Sequence, residues 1–231
     1  MSVLLKDTPL VPSKAPNLPI APVGYNQQYQ DTISNALRLY FSQLDNYTQG
    51  LVGDTGGKYL HFPYIAAYDT TTQYATGNNT PTIVKWNTGS VQSFTLNANN
   101  TATVGQSGTY KITYSLQFEN TDNTAAVDAI VWLRINGLTS AADVVGSSTI
   151  FTIPAAKSGV IPSYLCGYSE VVFDLNAGDT VGLWWGTATA ATSGGTKGVS
   201  IFYKAAQTSP MAYPSTPSSL GSITFVSALP A

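Results

Sequence analysis

Charged side chains are scarce in this sequence of 231 residues, since Asp, Glu, Lys and Arg together make up 10%. An ordinary soluble protein has about a quarter. The net charge is −2, and no run of basic residues occurs. Because binding to a phosphate backbone needs clustered Lys and Arg, we expect no nucleic-acid partner. With 43% hydrophobic residues, the chain can still bury one sizeable core.

Cysteine and histidine occur once each, as Cys166 and His61. A single cysteine forms no disulfide within the chain, and two such residues far apart in sequence do not make a zinc site. No G-x-S-x-G elbow accompanies His61. Two pairs of carboxylates flank turns and could hold calcium, namely Asp122 with Asp128 and Asp174 with Asp179. A pair of carboxylates that acts as in a glycosidase is a further alternative, but no particular pair is indicated. We expect no enzyme, cofactor or metal site.

Long hydrophobic runs are also absent. The start, MSVLLKDTPLVPSK, has an apolar run too short for a signal peptide, which needs about 7–15 residues. No window reaches the roughly 18 apolar residues of a membrane helix. The sequence therefore predicts synthesis in a cytoplasm and no membrane partner.

Proline dominates residues 1–24, at positions 9, 12, 16, 19 and 22, which excludes a helix or a central strand there. Between the prolines lie the apolar residues Leu4, Leu5, Leu10, Leu18 and Ile20. A free linker would be more polar, so we predict an extended arm that docks in a groove of another protein. A loose tail is the alternative.

Residues 25–53 are predicted to form one amphipathic helix, capped by Asn26 or Asp31 and stopped by Gly50 and Gly53. A heptad-like seam predicts trimerisation through Ile33, Leu37, Tyr40, Leu44 and Tyr47. Leu39 and Phe41 lie off the seam, and we assign them with the arm to anchoring. The alternative is a helix that packs only on its own domain.

Residues 54–231 show the period of two that is typical of strands. In GTYKITYSLQFEN, apolar and polar residues alternate without a break. Turn signals separate many such segments, and a last strand is placed near residues 223–228. The pattern predicts an all-β jelly-roll sandwich, preceded by the extended arm and the helix.

Three later segments carry apolar bulk on both faces of a strand. In VDAIVWLRING, TVGLWWG and GVSIFYK, the residues that oppose the core face are Ile130, Trp132, Trp184 and Phe202. Because such strands need cover on both sides, we predict that these four residues make contacts between subunits.

The order of three motifs resembles the trimeric jelly roll of tumour necrosis factor and of complement globular heads. These motifs are a Gly-x-Tyr strand at residues 108–110, a strand ending in Asn-Gly at 135–137, and Leu-x-x-Gly-Asp-x-Val at 175–181. The resemblance spans roughly residues 83–204. It implies a homotrimer that buries aromatic strand faces.

Residues 18–46 resemble an N-terminal module on structural proteins of marine and cyanobacterial tailed phages. In those proteins the module precedes varied C-terminal domains, which implies that it binds the particle. We therefore expect a virion structural protein, a trimeric decoration or fibre protein attached to capsid or tail. The alternative is a receptor-binding tip that recognises host surface glycan, with Tyr164, Tyr168, Trp184, Trp185 and Tyr213 as stacking candidates that would otherwise lie in the core.

Overall fold

The computed structural model describes residues 16–18, 23–52, 62–157 and 161–229. The chain divides into two units, Met1–His61 and Phe62–Ala231, which are described separately below. Of the residues that the sequence singles out, Leu4, Leu5, Leu10, Ile20 and His61 lie outside the described residues.

The described residues of the first unit form one α-helix, α1, Gln27–Val52. Asn26 caps it, because its side-chain oxygen Oδ1 accepts a hydrogen bond of 3.1 Å from the backbone amide of Tyr29. The prediction that Gly50 stops the helix is wrong, since the helix continues through Gly50 to Val52. A helical glycine costs only about 1 kcal/mol, which does not force an end.

The second unit is built from strands and one short 3-10 turn, Ser140–Ala142. The strands are β1 Tyr64–Asp69, β2 Gln73–Tyr74, β3 Thr82–Ile83, β4 Thr88–Gln92, β5 Phe94–Leu96, β6 Ala102–Val104, β7 Gly108–Asn120, β8 Val127–Ile135, β9 Thr149–Ile153, β10 Ser163–Leu175, β11 Thr180–Thr187, β12 Val199–Ile201 and β13 Ser219–Ser227.

These strands form two antiparallel sheets. Sheet A follows the order β10-β7-β13-β1-β4, and β12 continues beside the end of β7 with β2 at its far side. Sheet B follows the order β5-β6-β11-β8-β9, with β3 also paired to β11. Along the chain, β7 lies in sheet A, β8 and β9 in sheet B, β10 in sheet A, β11 in sheet B and β12 in sheet A. The chain therefore crosses repeatedly between the sheets, as in a jelly roll. The predicted fold class is confirmed.

The core lies between the two sheets and follows the predicted period of two. In β7 the residues Tyr110, Ile112, Tyr114, Leu116 and Phe118 are at most 5% exposed. Residues 127, 129, 131 and 133 of β8 and Trp185 of β11 face them from sheet B and are also buried. The rings of Phe118 and Trp185 lie 6.2 Å apart, so the two sheets meet through aromatic contact.

One predicted boundary differs from the structure, since the last strand begins at Ser219 and not near Ile223. Gly221 and Ser222 show no apolar alternation, so the pattern does not indicate this part of the strand. The Asn-Gly pair after β8 is followed by a long connection, because β9 begins only at Thr149. Asn136 takes a positive φ of 58°, and its side chain bonds Asp179 and the amide of Thr180. The motif therefore ties two turns together.

One close backbone approach at the start of β7 depends on a glycine. The amide of Gly105 donates to the carbonyl oxygen of Ser93 over 2.8 Å. A Cβ atom on Gly105 would lie 2.4 Å from that same oxygen, which is backbone and cannot move aside.

We expect Gly105→Ala to lower the free energy of unfolding by about 1–3 kcal/mol, because the clash must separate two backbone segments. Urea denaturation measures the change. Gly195→Ala is the control, since its new Cβ would meet only the hydroxyl of Thr192 at 3.6 Å. Equal stability of the two variants would contradict the close approach.

Candidate functional site

The outer face of sheet A carries a cluster of exposed tyrosines. The strand register brings Tyr68 beside Leu220, Leu220 beside Ser115, and Ser115 beside Tyr168. Two residues earlier on β1, Ala66 lies beside Ser222 of β13, and Tyr64 follows at the next outward position of β1. Exposure is 38% for Tyr64, 38% for Tyr68, 58% for Tyr168 and 45% for Leu220. We call this surface the tyrosine face: Tyr64, Ala66, Tyr68, Ser115, Tyr168, Leu220 and Ser222.

The tyrosine face is concave. A depression of about 520 Å³ has a floor of small residues and a rim that includes Tyr68, Tyr168 and Leu220. Its floor residues are Ala66, Gly89, Ser90, Thr113, Ser115 and Ser222. Thr113 and Ser222 bond each other at 2.6 Å, and Tyr64 bonds Ser90 at 3.1 Å. The polar groups of this surface therefore have partners within the chain, which favours an apolar occupant.

Charges on the tyrosine face are few and compensated. Lys111 and Glu170 form an ion pair of 2.9 Å, and the Tyr168 hydroxyl donates to the same carboxylate over 3.1 Å. The hydrogen bond to Glu170 raises the pKa of Lys111, and the bond from Lys111, helped by Tyr168, lowers the pKa of Glu170. The face therefore offers little net charge to a partner.

Glu119, at the edge of this face, has a carboxylate that is partly removed from solvent. Burial raises the pKa of Glu119, and hydrogen bonds from Tyr164 and Ser200 oppose that rise. Burial likewise raises the pKa of Tyr164, with the nearby Glu119 adding to it. The ring of Tyr164 lies 5.6 Å from that of Phe202. The rings of Tyr164 and Phe202 thus continue the aromatic surface of sheet A from the tyrosine face toward β12, beside the Glu119 carboxylate.

The outer face of sheet B is covered differently, by an arginine of the same chain. Trp132 of β8 pairs with Trp184 of β11. The guanidinium carbon of Arg134 lies 4.1 Å from the ring centre of Trp184 and 5.7 Å from that of Trp132. At these distances the cation is attracted to both rings. The residue is only 3% exposed, so the arginine is part of the packing.

Asp143 neutralises this arginine. Its Oδ1 accepts from Arg134 Nε at 2.5 Å and from the indole nitrogen of Trp132 at 2.6 Å. Arg134 Nη1 also donates to the carbonyl of Leu138 at 2.6 Å. The Arg134 bond is the main cause that lowers the pKa of Asp143, with the Trp132 bond second. This cluster holds the connection between β8 and β9 against the sheet.

The four predicted subunit contacts do not lie on one surface. Ile130, 40% exposed, and the half-buried Trp132 and Trp184 lie on the outer face of sheet B. Phe202 is half-buried beside Tyr164, at the margin of the tyrosine face. The requirement for cover on both faces of β8 and β11 is met in part by Arg134, which the strand pattern did not indicate.

The helix residues are placed on α1 as the seam predicts. Ile33, Leu37, Tyr40 and Tyr47 are half-buried and Leu44 is 39% exposed. Of the predicted anchoring residues, Leu18, Leu39 and Phe41 are 50%, 63% and 56% exposed. The rings of Tyr40 and Phe41 lie 5.7 Å apart.

The remaining candidates divide between core and surface. Trp185 is fully buried, Tyr164 is 57% exposed, and Tyr213 is half-buried with the Lys204 ammonium 5.2 Å from its ring centre. Each carboxylate of the two proposed calcium pairs accepts hydrogen bonds from nearby groups. In the part of the chain that the structure describes, no three metal-ligating side chains meet, and no helix is long and apolar enough to cross a membrane.

Sequence reasoning missed the tyrosine face. The segment YIAAYD has the signal, since Tyr64, Ala66 and Tyr68 alternate with the buried Ile65, Ala67 and Asp69. Its two outward tyrosines give it the same two-sided character as β8 and β11. The short length of the segment kept that signal weak.

Comparison with known proteins adds little to this description. No family model matches the chain, and no curated protein matches it. Among solved structures, "Structure of Eiger TNF from S. frugiperda" aligns with 74% of this chain and 96% of that one, at 11% identity and a TM-score of 0.45. The class of the second unit, a jelly-roll β-sandwich, rests on its own strand order.

We expect Asp143→Asn to lower the free energy of unfolding at pH 7 by about 1–2 kcal/mol, because it leaves the buried Arg134 without its anion. The loss is no larger because the Asp143 carboxylate is partly exposed. A lowered carboxyl pKa stabilises the fold above the ordinary value of about 3.9. That contribution is lost as the pH falls through the lower pKa of the folded state.

The difference between Asp143→Asn and the unmodified chain should therefore shrink on acidification below pH 4 in urea titrations. Asp128→Asn is the control, because this exposed carboxylate bonds only the hydroxyl of Thr152. A gap for Asp143→Asn that stays constant from pH 7 to pH 3 would contradict the ion pair.

Proposed function

We propose that this chain is a non-catalytic virion structural protein that works as a homotrimer. The jelly-roll body associates through the tyrosine face, and the N-terminal segment attaches the trimer to a phage capsid or tail. The observation that carries the association is the exposed, neutral, concave surface built by Tyr64, Tyr68, Tyr168 and Leu220. Contiguous exposed apolar surface of this kind marks an interaction site.

A second copy of this chain is the partner that the chemistry favours. The polar groups at the floor of the depression already bond one another, and the Lys111–Glu170 pair is internally neutral. A strongly charged partner would find nothing to pair with. Aromatic residues such as Tyr68 and Tyr168 are enriched at the centre of protein interfaces. Phe202, predicted from the sequence to contact another subunit, adjoins this surface.

Three copies are favoured by the sequence resemblance to trimeric jelly rolls. In a cyclic trimer each copy presents the tyrosine face to a different surface of the next copy, so that two unlike patches meet. The outer face of sheet B, with Ile130, Trp132 and Trp184, is one candidate for the second patch. That role stays a prediction.

The helix supports assembly as a secondary element. The seam of Ile33, Leu37, Tyr40, Leu44 and Tyr47 is short, and a helix of this length is marginal as an isolated coiled coil. Association of the helices becomes more favourable when three jelly-roll bodies already hold them near each other, because the helix contacts then form within one assembly. Exposed Leu39 and Phe41 lie off the seam and supply apolar surface for a particle protein.

Attachment to a virion is proposed from the N-terminal sequence. Residues 18–46 resemble a module shared by phage structural proteins with varied C-terminal domains. A proline-fixed arm loses little conformational entropy when it docks, and three arms on one trimer bind far more tightly than one. The protein would then be located in the virion after synthesis in the host cytoplasm.

We expect the double variant Tyr68→Glu/Leu220→Glu to sediment as a single chain, whereas the unmodified protein sediments as a trimer. Two carboxylates in the depression would have to be buried without partners, which is strongly unfavourable. Ser193→Glu/Thr196→Glu, which adds two carboxylates to an exposed loop outside both sheets, is the control and should stay trimeric. A double variant that remains trimeric would move the interface elsewhere.

We expect a chain lacking residues 1–24 to remain a folded trimer but to be absent from purified particles when it replaces the full chain during infection. The reason is that the proposed role of the arm is docking, while the core residues of the jelly roll lie between Ile65 and Ile223. Quantitative immunoblotting of particles measures incorporation. The full-length chain is the control, and normal incorporation of the shortened chain would refute the anchoring role.

A further inference from the structure

The outer face of sheet B contains a second depression, next to the arginine cluster. Its volume is about 360 Å³, at the lower end of the range of roughly 300–1,000 Å³ for small-molecule sites. We call it the Gly186 trough. It is lined by Asn79, Pro81, Asp128, Ile130, Trp132, Gly186, Thr187 and Ala188.

Gly186 makes the floor of this trough, and packing within the chain does not require a glycine there. An added Cβ would meet Thr80 O and Trp132 Cη2 at 3.7 Å, which are ordinary contacts, and its φ is not positive. At the strand glycines Gly167, Gly182 and Gly221, by contrast, a Cβ would approach a neighbour to 2.9, 3.1 and 2.6 Å. A strand glycine that leaves open space is typical of a site where a ligand approaches the backbone.

The walls of the trough are preformed. Gly186 pairs with Ile130 in the sheet, and the six-membered ring of Trp132 borders the floor. The indole nitrogen of Trp132 is held by Asp143, so the ring cannot swing away freely. Opposite, the amide of Asn79 donates to Thr187 O at 2.8 Å and fixes the loop before β3. A fixed wall lowers the entropic cost of binding.

Polar groups lie at one end of the trough and apolar groups at the other. Thr152 bonds Asp128 Oδ1 at 2.7 Å, and Oδ2 has no hydrogen-bond partner among the described residues. Asn79, which is exposed, lines the same trough and carries a side-chain amide. Ile130, Pro81 and Trp132 supply the apolar side. The site thus offers acceptors and donors for hydroxyl groups together with a flat surface for C–H groups.

We infer that the Gly186 trough binds one pyranose unit of a glycan. A sugar ring has an apolar C–H face that packs on an indole and an equatorial rim of hydroxyls that bond carboxylate and amide. A single carboxylate is too few for a divalent cation, and no Lys or Arg lines the trough to hold a phosphate. This goes beyond the structural role proposed above. It requires Ile130 and Trp132 to be free, so it excludes their use in the second patch of the trimer.

Saturation-transfer NMR on the full chain tests the inference. The probes are the methyl glycosides of glucose, mannose, galactose and N-acetylglucosamine. We expect transfer to the ring protons of at least one glycoside, with a dissociation constant on the order of 1 mM. Absence of transfer to all four would overturn the inference.

Gly186→Val should abolish that transfer, because its side chain fills the floor. An added Cβ meets nothing closer than 3.7 Å, and urea denaturation checks that the variant is folded. Gly186→Ala, which adds a single methyl group, should weaken binding, and Asp128→Ala should weaken it about tenfold or more through lost hydrogen bonds to a charged group. Thr95→Val changes an exposed position on β5 of the same sheet and should leave binding unchanged. Unchanged transfer with Gly186→Val would also overturn the inference.

Sedimentation of the same samples separates this inference from the proposed trimer. Sugar binding by a single-chain species would support the trough and refute the trimer. Conversion of a trimer into single chains by Gly186→Val would show that the trough contacts a neighbouring copy, and the glycan inference would fall.

Discussion

The structure of the second unit depends on the two-sided role of β7. This strand alternates without interruption between fully buried and half-buried residues from Gly108 to Asn120. It is hydrogen-bonded to β10 along one side and to β13 and β12 along the other. Its inward residues fill the core, and its outward residues form the middle of the exposed sheet. A shift of one residue would exchange the two sets, so the core and the outer surface are specified together.

The two outer faces solve the problem of exposed aromatic groups in different ways. On sheet B, Arg134 lies against Trp184 and is neutralised by Asp143, so one chain covers most of its own bulk. On sheet A, no such cover exists among the described residues of the body, and Tyr68, Tyr168 and Leu220 stay open to solvent. Few charges lie near this surface to keep it soluble. We therefore propose that another protein covers it.

The sequence predicted most of the fold because β7, β8 and β11 have long and regular alternation. As that alternation predicts, Tyr110 to Phe118 of β7 alternate between core and outer face, and Ile130, Trp132 and Trp184 oppose the core. Elements whose specification is not local were harder to predict. The start of β13 depends on Gly221 fitting beneath Trp86, and the path after Asn136 depends on a bond to Asp179, distant in sequence.

The candidate site was less predictable than the fold. Strand patterns show that a residue points outward, but not which outward residues share a row. That depends on register between β1, β13, β7 and β10, and it brings Tyr68 and Tyr168 to one surface. Patterning likewise could not reveal that Arg134 would cover Trp184, because a cation beside an indole looks like an ordinary polar position in sequence.

The reactivity of Cys166 gives the most direct test of the proposal that a second copy of the chain covers the tyrosine face. This only cysteine of the chain is exposed on β10, on the same side as Tyr164 and Tyr168, and it contacts Ser115. Alkylation of the unmodified protein at micromolar concentration should be slow compared with alkylation of the urea-unfolded chain, because in the proposed trimer a neighbouring copy covers the thiol. Complete labelling of the folded protein at the rate of the unfolded chain would contradict the account.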